Sequence, residues 1–589
     1  MQEIVKGNYP RPDFIRTNYQ TLNGNWEFDF DDDGTLGKNF FAGKQIQLEK
    51  TICVPFPYQS PASGVFDTTD HEVMWYRRSF VISPENAGKT ALLKFGAVDH
   101  DAEVWLNGAY LGKHVGGYTP FYFEVTSQLR EGENEIIVRV EDLCVEDQIR
   151  GKQVWDGIPA SCHYVAVSGI WQEVWLEFTS ENYITRVKHT PDYDNNCTYV
   201  DIYFNKPVKG RVKLVVEREG EFVCEMQQTV NGNSALCTVR FADMSHRSFK
   251  YFNWTPESPT LFDITTTLYD ENEELDTVLT YFGFRKISVH GDRIFLNNSH
   301  YYLRTVLDQG YWTEGIYRPA DDDGFRLDVQ LTKELGFNGA RKHQKIEDPK
   351  YYYWADKLGL LVWGELPSFF AFSDRSTKDA VRTMEEFIER DYNHPCIMAW
   401  VPFNETWGLR KLNGNPYQLN FTRLMYYLCH SADNTRLVST NDGWENVAPS
   451  DFLSVHDYRP LTEDMIKYYS DREFLKNGSA RTGFPFVLPG QEFGELPILY
   501  TEFGGKKIGM DKKAWGYNTS FAKVEDFVED LSREVNALIN IPTFAGYCYT
   551  QLTDCYQEAN GLLDMDRKPK ADIELFKEIF GTAPFRKRH

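Results

Sequence analysis

Apolar positions recur along this chain with two different periods, and the change of period divides it. Up to about residue 180 they alternate with polar ones, in the runs 75–80, 91–95, 102–106, 135–140 and 171–178. Asn107-Gly108 supplies a tight hairpin turn between two such runs. Short strands with turn signals at regular intervals predict an N-terminal β-sandwich of jelly-roll type over 1–180. From 181 to 283 the alternation continues at 199–204, 211–217 and 262–269, which predicts an immunoglobulin-like β-sandwich. Beyond 284 short apolar strands alternate with helical stretches. Strands are predicted at 301–306, 336–341, 360–363, 397–401, 437–440, 452–455, 498–500 and 544–547, with helices at 321–335, 350–358 and 378–392. The first of these helices is acid-rich at its start and stops at Gly336, as the helix dipole and capping favour. Eight strands in about 300 residues predict a (β/α)8 TIM barrel over 284–589. The whole is therefore a multidomain α+β chain.

Length supports that division, since 589 residues exceed what one compact core organises. The 63 basic against 86 acidic residues give a net charge of −23, which disfavours nucleic acid as a partner. The ten cysteines are scattered, with no CxxC pair and no zinc-like Cys/His spacing, so neither a metal nor a cofactor is expected. No apolar run approaches the ~18 residues of a membrane span. The opening Met-Gln-Glu-Ile-Val-Lys-Gly lacks the apolar core of a signal peptide, so the expectation is a cytoplasmic protein away from membranes. Nothing signals an oligomeric state, and a homo-oligomer stays open.

The chemistry concentrates on two glutamates. Glu405 ends the fourth barrel strand in Trp400-Val-Pro-Phe-Asn-Glu-Thr-Trp407, and Glu502 ends the seventh in Pro497-Ile-Leu-Tyr-Thr-Glu-Phe-Gly504. A carboxylate at the carboxyl end of a buried strand is costly and needs a reason. In a barrel those ends line the active site. A carboxylate pair, one protonated and one ionised, is what glycoside cleavage needs, and a separation of roughly 5 Å selects a retaining double displacement. Glu492 repeats the Glu-Phe-Gly of Glu502 but sits in a loop broken by Pro and Gly. Glu365 ends the third strand, as a third active-site carboxylate or, preferably, as a supporting partner of Arg341. His343 and Lys345 after the second strand, and His456, Asp457 and Tyr458 after the sixth, are placed to face the same pocket. A Tyr beside a carboxylate nucleophile donates a hydrogen bond and lowers its pKa. Tyr549 and Trp407 suit sugar stacking or core packing equally.

The chain resembles glycoside hydrolase family 2, the β-galactosidase and β-glucuronidase family, over nearly its whole length. The resemblance rests on Leu22-Asn-Gly-Asn-Trp-Glu-Phe28, Val104-Trp-Leu-Asn-Gly108, Gly116-Gly-Tyr-Thr-Pro-Phe121 and Ser168-Gly-Ile-Trp-Gln-Glu-Val-Trp175. In the barrel it rests on Gly336-Phe-Asn-Gly-Ala-Arg-Lys-His343, Asn404-Glu405, Glu502 and Asp566-Arg-Lys-Pro-Lys570. It implies Glu405 as general acid/base, Glu502 as nucleophile and Asn404 as a hydrogen-bond partner of the sugar 2-hydroxyl. It further implies that Asp308, His343 and Tyr549 line the pocket for the terminal sugar and that Tyr458 lies near the nucleophile. Members acting on glucuronides carry Asn-x-Lys shortly before Arg-Lys-Pro-Lys, whereas Glu558-Ala-Asn-Gly561 stands here. That departure favours a neutral sugar. The expected activity is a retaining exo-β-glycosidase on terminal β-linked sugars, β-D-galactosides first. The runner-up is a β-glucuronidase or β-galacturonidase using Lys345, Arg341 or another cation. A rival of another class is a carbohydrate-binding protein without catalysis.

Overall fold

The structure, a computed structural model, describes residues 6–241, 252–271, 273–509 and 513–584. The N-terminal domain is a β-sandwich. Its larger sheet runs, in spatial order, Lys50–Val54, Gly24–Phe30, Val73–Val81, Glu133–Glu141, Asp101–Leu106 and Ala109–Val115. The smaller sheet runs Phe121–Glu124, Thr90–Phe95, Val174–Thr179 and Tyr19–Thr21. The alternation seen in the sequence puts Trp26, Tyr76, Leu93, Val104, Val138 and Leu176 into the core between them. Asn107 and Gly108 take φ of 52° and 82°, the left-handed pair that a two-residue hairpin turn requires.

The middle domain is built on one long strand, Cys197–Arg218. Its first part pairs with Ile184–Asp192 and its later part with Phe262–Asp270, while Glu221–Arg240 runs beside both. The runs 199–204 and 211–217, separate in the sequence, belong to this one strand. One segment crosses between domains: Phe14–Ile15 pairs with Glu273–Phe282, so residues ahead of the first sandwich complete the sheet of the second.

The barrel strands are β1 (Leu303–Asp308), β2 (Gly339–Lys342), β3 (Leu361–Glu365), β4 (Ile397–Val401), β5 (Leu437–Val438), β6 (Leu453–His456), β7 (Ile498–Gly504) and β8 (Phe544–Thr550). They are parallel and neighbour one another in the order β5-β4-β3-β2-β1-β8-β7-β6. All eight strands expected from the sequence are present, and the differences lie at their ends. Between β5 and β6 no ladder forms among the described residues, and single bonds such as His456 N to Gly443 O at 3.1 Å cross the gap. The first barrel helix spans Asp323–Glu334 and stops at Gly336. That glycine has φ +95°, and a Cβ there would lie 2.6 Å from Gly581 N, so no other residue fits.

The sandwich reaches over the barrel mouth through the loop around residues 146–164. Arg150 N and Gly151 N both donate to Ser368 O, at 3.1 and 2.9 Å. Gly151 has φ +60°, and a Cβ on it would lie 2.0 Å from Gln344 O, so the two loops meet backbone to backbone. Tyr164 closes the contact by donating to Glu558 Oε2 at 2.5 Å.

Candidate active site

Side chains alternate along a barrel strand, so Arg341 on β2 points inward and its neighbour Lys342 outward. Arg341 is fully buried and organises the centre of the mouth. Its Nε donates to Glu365 Oε2 on β3 at 2.7 Å, and its Nη2 to Asn404 Oδ1 at 2.6 Å. Its Nη1 lies 2.7 Å from Asp442 Oδ2 and 3.1 Å from Glu502 Oε1 on β7. Burial alone would lower its pKa, but the Asp442, Glu365 and Glu502 charges overcome that and raise it well above normal. Asp442 follows β5, and the same arginine, with His456, outweighs burial and holds its carboxylate low.

Glu405 is not on β4 itself. The strand ends at Val401, and Glu405 stands four residues further on in a left-handed turn with φ 51°. Its N–H donates to Asp442 O at 2.8 Å, which ties the turn to the loop after β5. His456, the last residue of β6, lies between the two glutamates. Its Nδ1 is 2.7 Å from Glu405 Oε1 and 3.4 Å from Glu502 Oε1, and its Nε2 is 3.5 Å from Asp442 Oδ2. One carboxylate oxygen of each glutamate and a ring nitrogen of His456 all lie within 4.8 Å of one another. Burial opposes a charge on His456, yet Glu502, Asp442 and Glu405 push its pKa up to about 10.

The two glutamates titrate as a pair. Burial raises Glu502, the Glu405 charge adds to this, and together they outweigh His456 and Arg341. For Glu405 burial also raises, but the His456 hydrogen bond and charge bring it below its ordinary value. The free site thus holds Glu405 as the stronger acid, because His456 is bonded to it. The donors on Glu502 are more numerous: Tyr458 OH donates to its Oε2 at 2.6 Å, beside Arg341 on Oε1. Tyr458 is held in turn by stacking on Tyr517, with ring centroids 4.2 Å apart.

The other residues singled out in the sequence fall into two groups. Asn404 lies beside Glu405, with its carbonyl oxygen fixed by Arg341 and its NH2 left as a donor. Glu365 is fully buried, accepts from Arg341 and from Gln344 N, and lies 3.0 Å from His343 Nδ1. It is a support beneath the mouth. His343 is kept neutral by burial, with Lys152 and Arg341 adding to the effect. Glu492 is exposed in a loop.

Three expectations need correction. Asp308 does not face the two glutamates. It pairs with the outward-pointing Lys342 at 2.8 Å, and Lys342 continues to Glu347 at 2.7 Å, outside the ring of strands. Tyr549 is not a pocket wall either: it follows the inward Cys548, so its ring turns out against Phe580, 5.2 Å away on the last helix. Lys345 is not free to meet an acidic sugar, because it donates to Gly310 O, Tyr317 O and Glu347.

Asp442 and Lys152 went unnoticed in the sequence. Asp442 had a signal, the polar run Asn441-Asp442-Gly443 directly after an apolar strand. Lys152 had none, because it comes from another domain.

Family models match in three consecutive pieces: the sugar binding domain of glycosyl hydrolases family 2 at residues 19–179, the family's middle segment at 182–285 and its TIM barrel domain at 287–584. The chain belongs to glycosyl hydrolases family 2. It is 27% identical over 432 residues to a beta-galactosidase of Thermoanaerobacter pseudethanolicus, covering 71% of this chain and 53% of that one. It is 25% identical over 517 residues to a beta-glucuronidase of Bacteroides fragilis, covering 81% and 68%. The chain thus spans about half the length of the first relative. Among solved structures, a GH2 beta-galacturonidase of Eisenbergiella tayi superposes with TM-score 0.75 at 20% identity over 99% of each chain. A beta-glucuronidase of Bifidobacterium dentium superposes with TM-score 0.78 at 20% identity over 98% and 99%. These likenesses are of fold. No helix among the described residues is long and apolar enough to cross a membrane.

Proposed function

We propose that this chain is a retaining exo-β-glycosidase acting on terminal β-linked neutral sugars, with β-D-galactosides first. The observation that carries the reading is the approach of Glu405 and Glu502, whose nearest oxygens lie within 4.8 Å. A retaining pair needs carboxyls about 5 Å apart, whereas an inverting pair needs room for a water between them.

In the first step an oxygen of Glu502 attacks the anomeric carbon as the bond to the aglycone oxygen breaks. Glu405 gives its proton to that leaving oxygen. In the second step water attacks the same carbon, Glu405 takes the water's proton, and the Glu502 carboxylate is released. Arg341 and Tyr458 stabilise the nucleophile as an anion. For Glu405 to hold a proton it must leave His456, whose bond is the main influence keeping it acidic. A sugar entering between His456 and the pair would do this. The NH2 of Asn404 is available for the 2-hydroxyl.

A neutral glycone is favoured by the local charge. Glu405 and Glu502 meet at the mouth, with Asp442 and Glu365 held on Arg341 behind them. A sugar carboxylate would lie against the glutamate pair and the Asp442 carboxylate that Arg341 and His456 keep ionised, and like charge disfavours it. A uronide is the second reading, and the observation in its favour is that buried Lys152 has no carboxylate oxygen within 4.0 Å among the described residues.

Initial rates on nitrophenyl β-galactoside, glucoside, mannoside, glucuronide and galacturonide test this. Release from the galactoside with retained anomeric configuration is expected. Dominant release from a uronide overturns the neutral glycone, and inversion overturns the mechanism.

A further inference from the structure

The helix Pro416–Ala432 buries one side against the barrel, through Gln418, Phe421, Thr422, Met425 and Cys429. Its other side is unlike those of its neighbours. Beyond Pro416 at its start, the exposed residues are Tyr417, Asn420, Leu424, Tyr427 and Ser431. They recur at alternating intervals of three and four, the spacing of a seam between two helices. None carries a charge. Tyr417 is 79% exposed, more than any other large apolar side chain among the described residues, and Leu424 and Tyr427 are 50% and 61% exposed. Two other barrel helices show the ordinary pattern. Asp374–Asp391 exposes Asp374, Lys378, Glu385 and Glu389, and Val524–Ile539 exposes Glu525, Asp526, Glu529, Arg533 and Asn536. A helix that is apolar on two sides is one covered on both.

Charge and shape point to what covers it. The chain carries −23 overall, yet no Asp or Glu stands between 406 and 432, where Arg410, Lys411 and Arg423 do. Two such chains repel one another least where both are free of acid. Lys411 N donates to Gln418 Oε1 at 2.9 Å, which holds Lys411 beside the helix start. At the other end a groove of about 540 Å³ opens beside Tyr427, lined by Arg423, Tyr427, Pro449, Glu492, Phe493 and Leu496. Arg423 fixes its wall by donating to Gln491 Oε1 at 3.1 Å and to Ala448 O at 3.0 Å. Lys411 and Glu492 are exposed, and neither forms an ion pair among the described residues.

A two-fold axis beside residue 422 matches these features to themselves. With two copies of the helix antiparallel, Tyr417 meets Tyr427 of the partner subunit and Asn420 meets Leu424 of the partner subunit, and the same contacts repeat on the other side of the axis. The protruding Tyr417 then enters the groove beside Tyr427, and Lys411 approaches Glu492 at its rim. Opposed helix dipoles favour the same orientation.

We propose that this helix face is the interface of a symmetric homodimer, the second copy of this chain being its partner and Tyr417 and Leu424 its anchors. The interface goes beyond the glycosidase reading and does not depend on it.

Sedimentation velocity tests it. The full chain at about 10 µM should be a dimer, and Leu424→Asp should raise the dimer Kd about 30-fold or more. Lys411→Glu should weaken the dimer about fivefold, and adding Glu492→Lys to the same chain should restore it. Oxidation of Tyr417→Cys/Tyr427→Cys reads the register independently, and decides the matter if Leu424→Asp does not fold. These two positions are about 15 Å apart along one helix, too far for a disulfide within a chain. Across the two-fold they are adjacent, so two chains should be linked above the wild-type background, whereas Tyr417→Cys alone should link none. A wild type still monomeric at about 100 µM overturns the proposal and leaves the face to a different partner. A dimer that Leu424→Asp leaves intact, or linkage by Tyr417→Cys alone as efficient as by the pair, places the contact elsewhere and overturns it as well.

Discussion

His456 Nδ1 lies 2.7 Å from Glu405 Oε1 in the unliganded site. This contact makes Glu405 the more acidic of the pair, and with Glu502 and Asp442 it overcomes burial and raises the histidine to about 10. The consequence for stability has a definite sign. A histidine whose folded pKa exceeds its unfolded value of 6.5 contributes stability that is fully present below 6.5 and lost as pH rises through about 10. Wild type should therefore lose melting temperature between those pH values faster than His456→Asn does. Parallel curves for the two proteins would mean that His456 is not charged in the free site.

Arg341 touches Glu365, Asn404, Asp442 and Glu502 at once. Replacing it by Met leaves buried Glu365 without its cation and Asp442 and Glu502 with His456 alone. The expected cost is about 3–5 kcal/mol of stability, the range for breaking a buried ion pair from one side. Activity should vanish as well, since Glu502 loses a donor and Asn404 its orientation. Lys at this position keeps the charge but lacks the fork that reaches four partners, so it should rescue stability in part and activity little. Urea unfolding together with rates on nitrophenyl β-galactoside would check both halves. An Arg341→Met protein as stable as wild type would refute the role of hub.

Much of this arrangement was legible in the sequence, and the reason is local. A parallel barrel strand is a short apolar run, so all eight strands stood out, and Glu405 and Glu502 were conspicuous as charges close after apolar runs, one four residues past its strand and one within it. What could not be read was which way a side chain faces once two polar residues follow one another. Arg341-Lys342 gives no hint in composition that the first points in and the second out, and Asp308 followed Lys342 outward. Tyr549 was misjudged for the same reason, one residue out of phase with Cys548. Lys152 depends on a contact between domains that no periodicity records.

Tyr549 offers a direct check on that phase. Its ring is fully buried against Phe503 and Phe580, and its hydroxyl has no hydrogen-bond partner among the described residues. Tyr549→Phe should leave kcat and KM within about twofold of wild type, and stability unchanged or raised by about 1 kcal/mol, because a buried unsatisfied hydroxyl is removed. A large rise in KM would return Tyr549 to the pocket wall.

The division of labour between the glutamates is separable by leaving group. Glu502→Gln removes the nucleophile, so every aryl β-glycoside should lose about 10⁵-fold or more in kcat, whatever its aglycone. Glu405→Gln removes proton donation, worth about 10²–10⁴-fold where the leaving group needs a proton. A dinitrophenyl group leaves without one. The first step should therefore survive in Glu405→Gln with that substrate, while the second, which needs Glu405 as base, slows. The glycosyl-enzyme then accumulates and appears as a burst of dinitrophenol. Azide needs no general base and should restore turnover by yielding the β-glycosyl azide, the product of two inversions at one carbon. If the burst and the azide product arise from Glu502→Gln instead, the two roles are exchanged. That exchange would also agree with the acidity of Glu405 in the free site, so product configuration and not pKa decides the assignment.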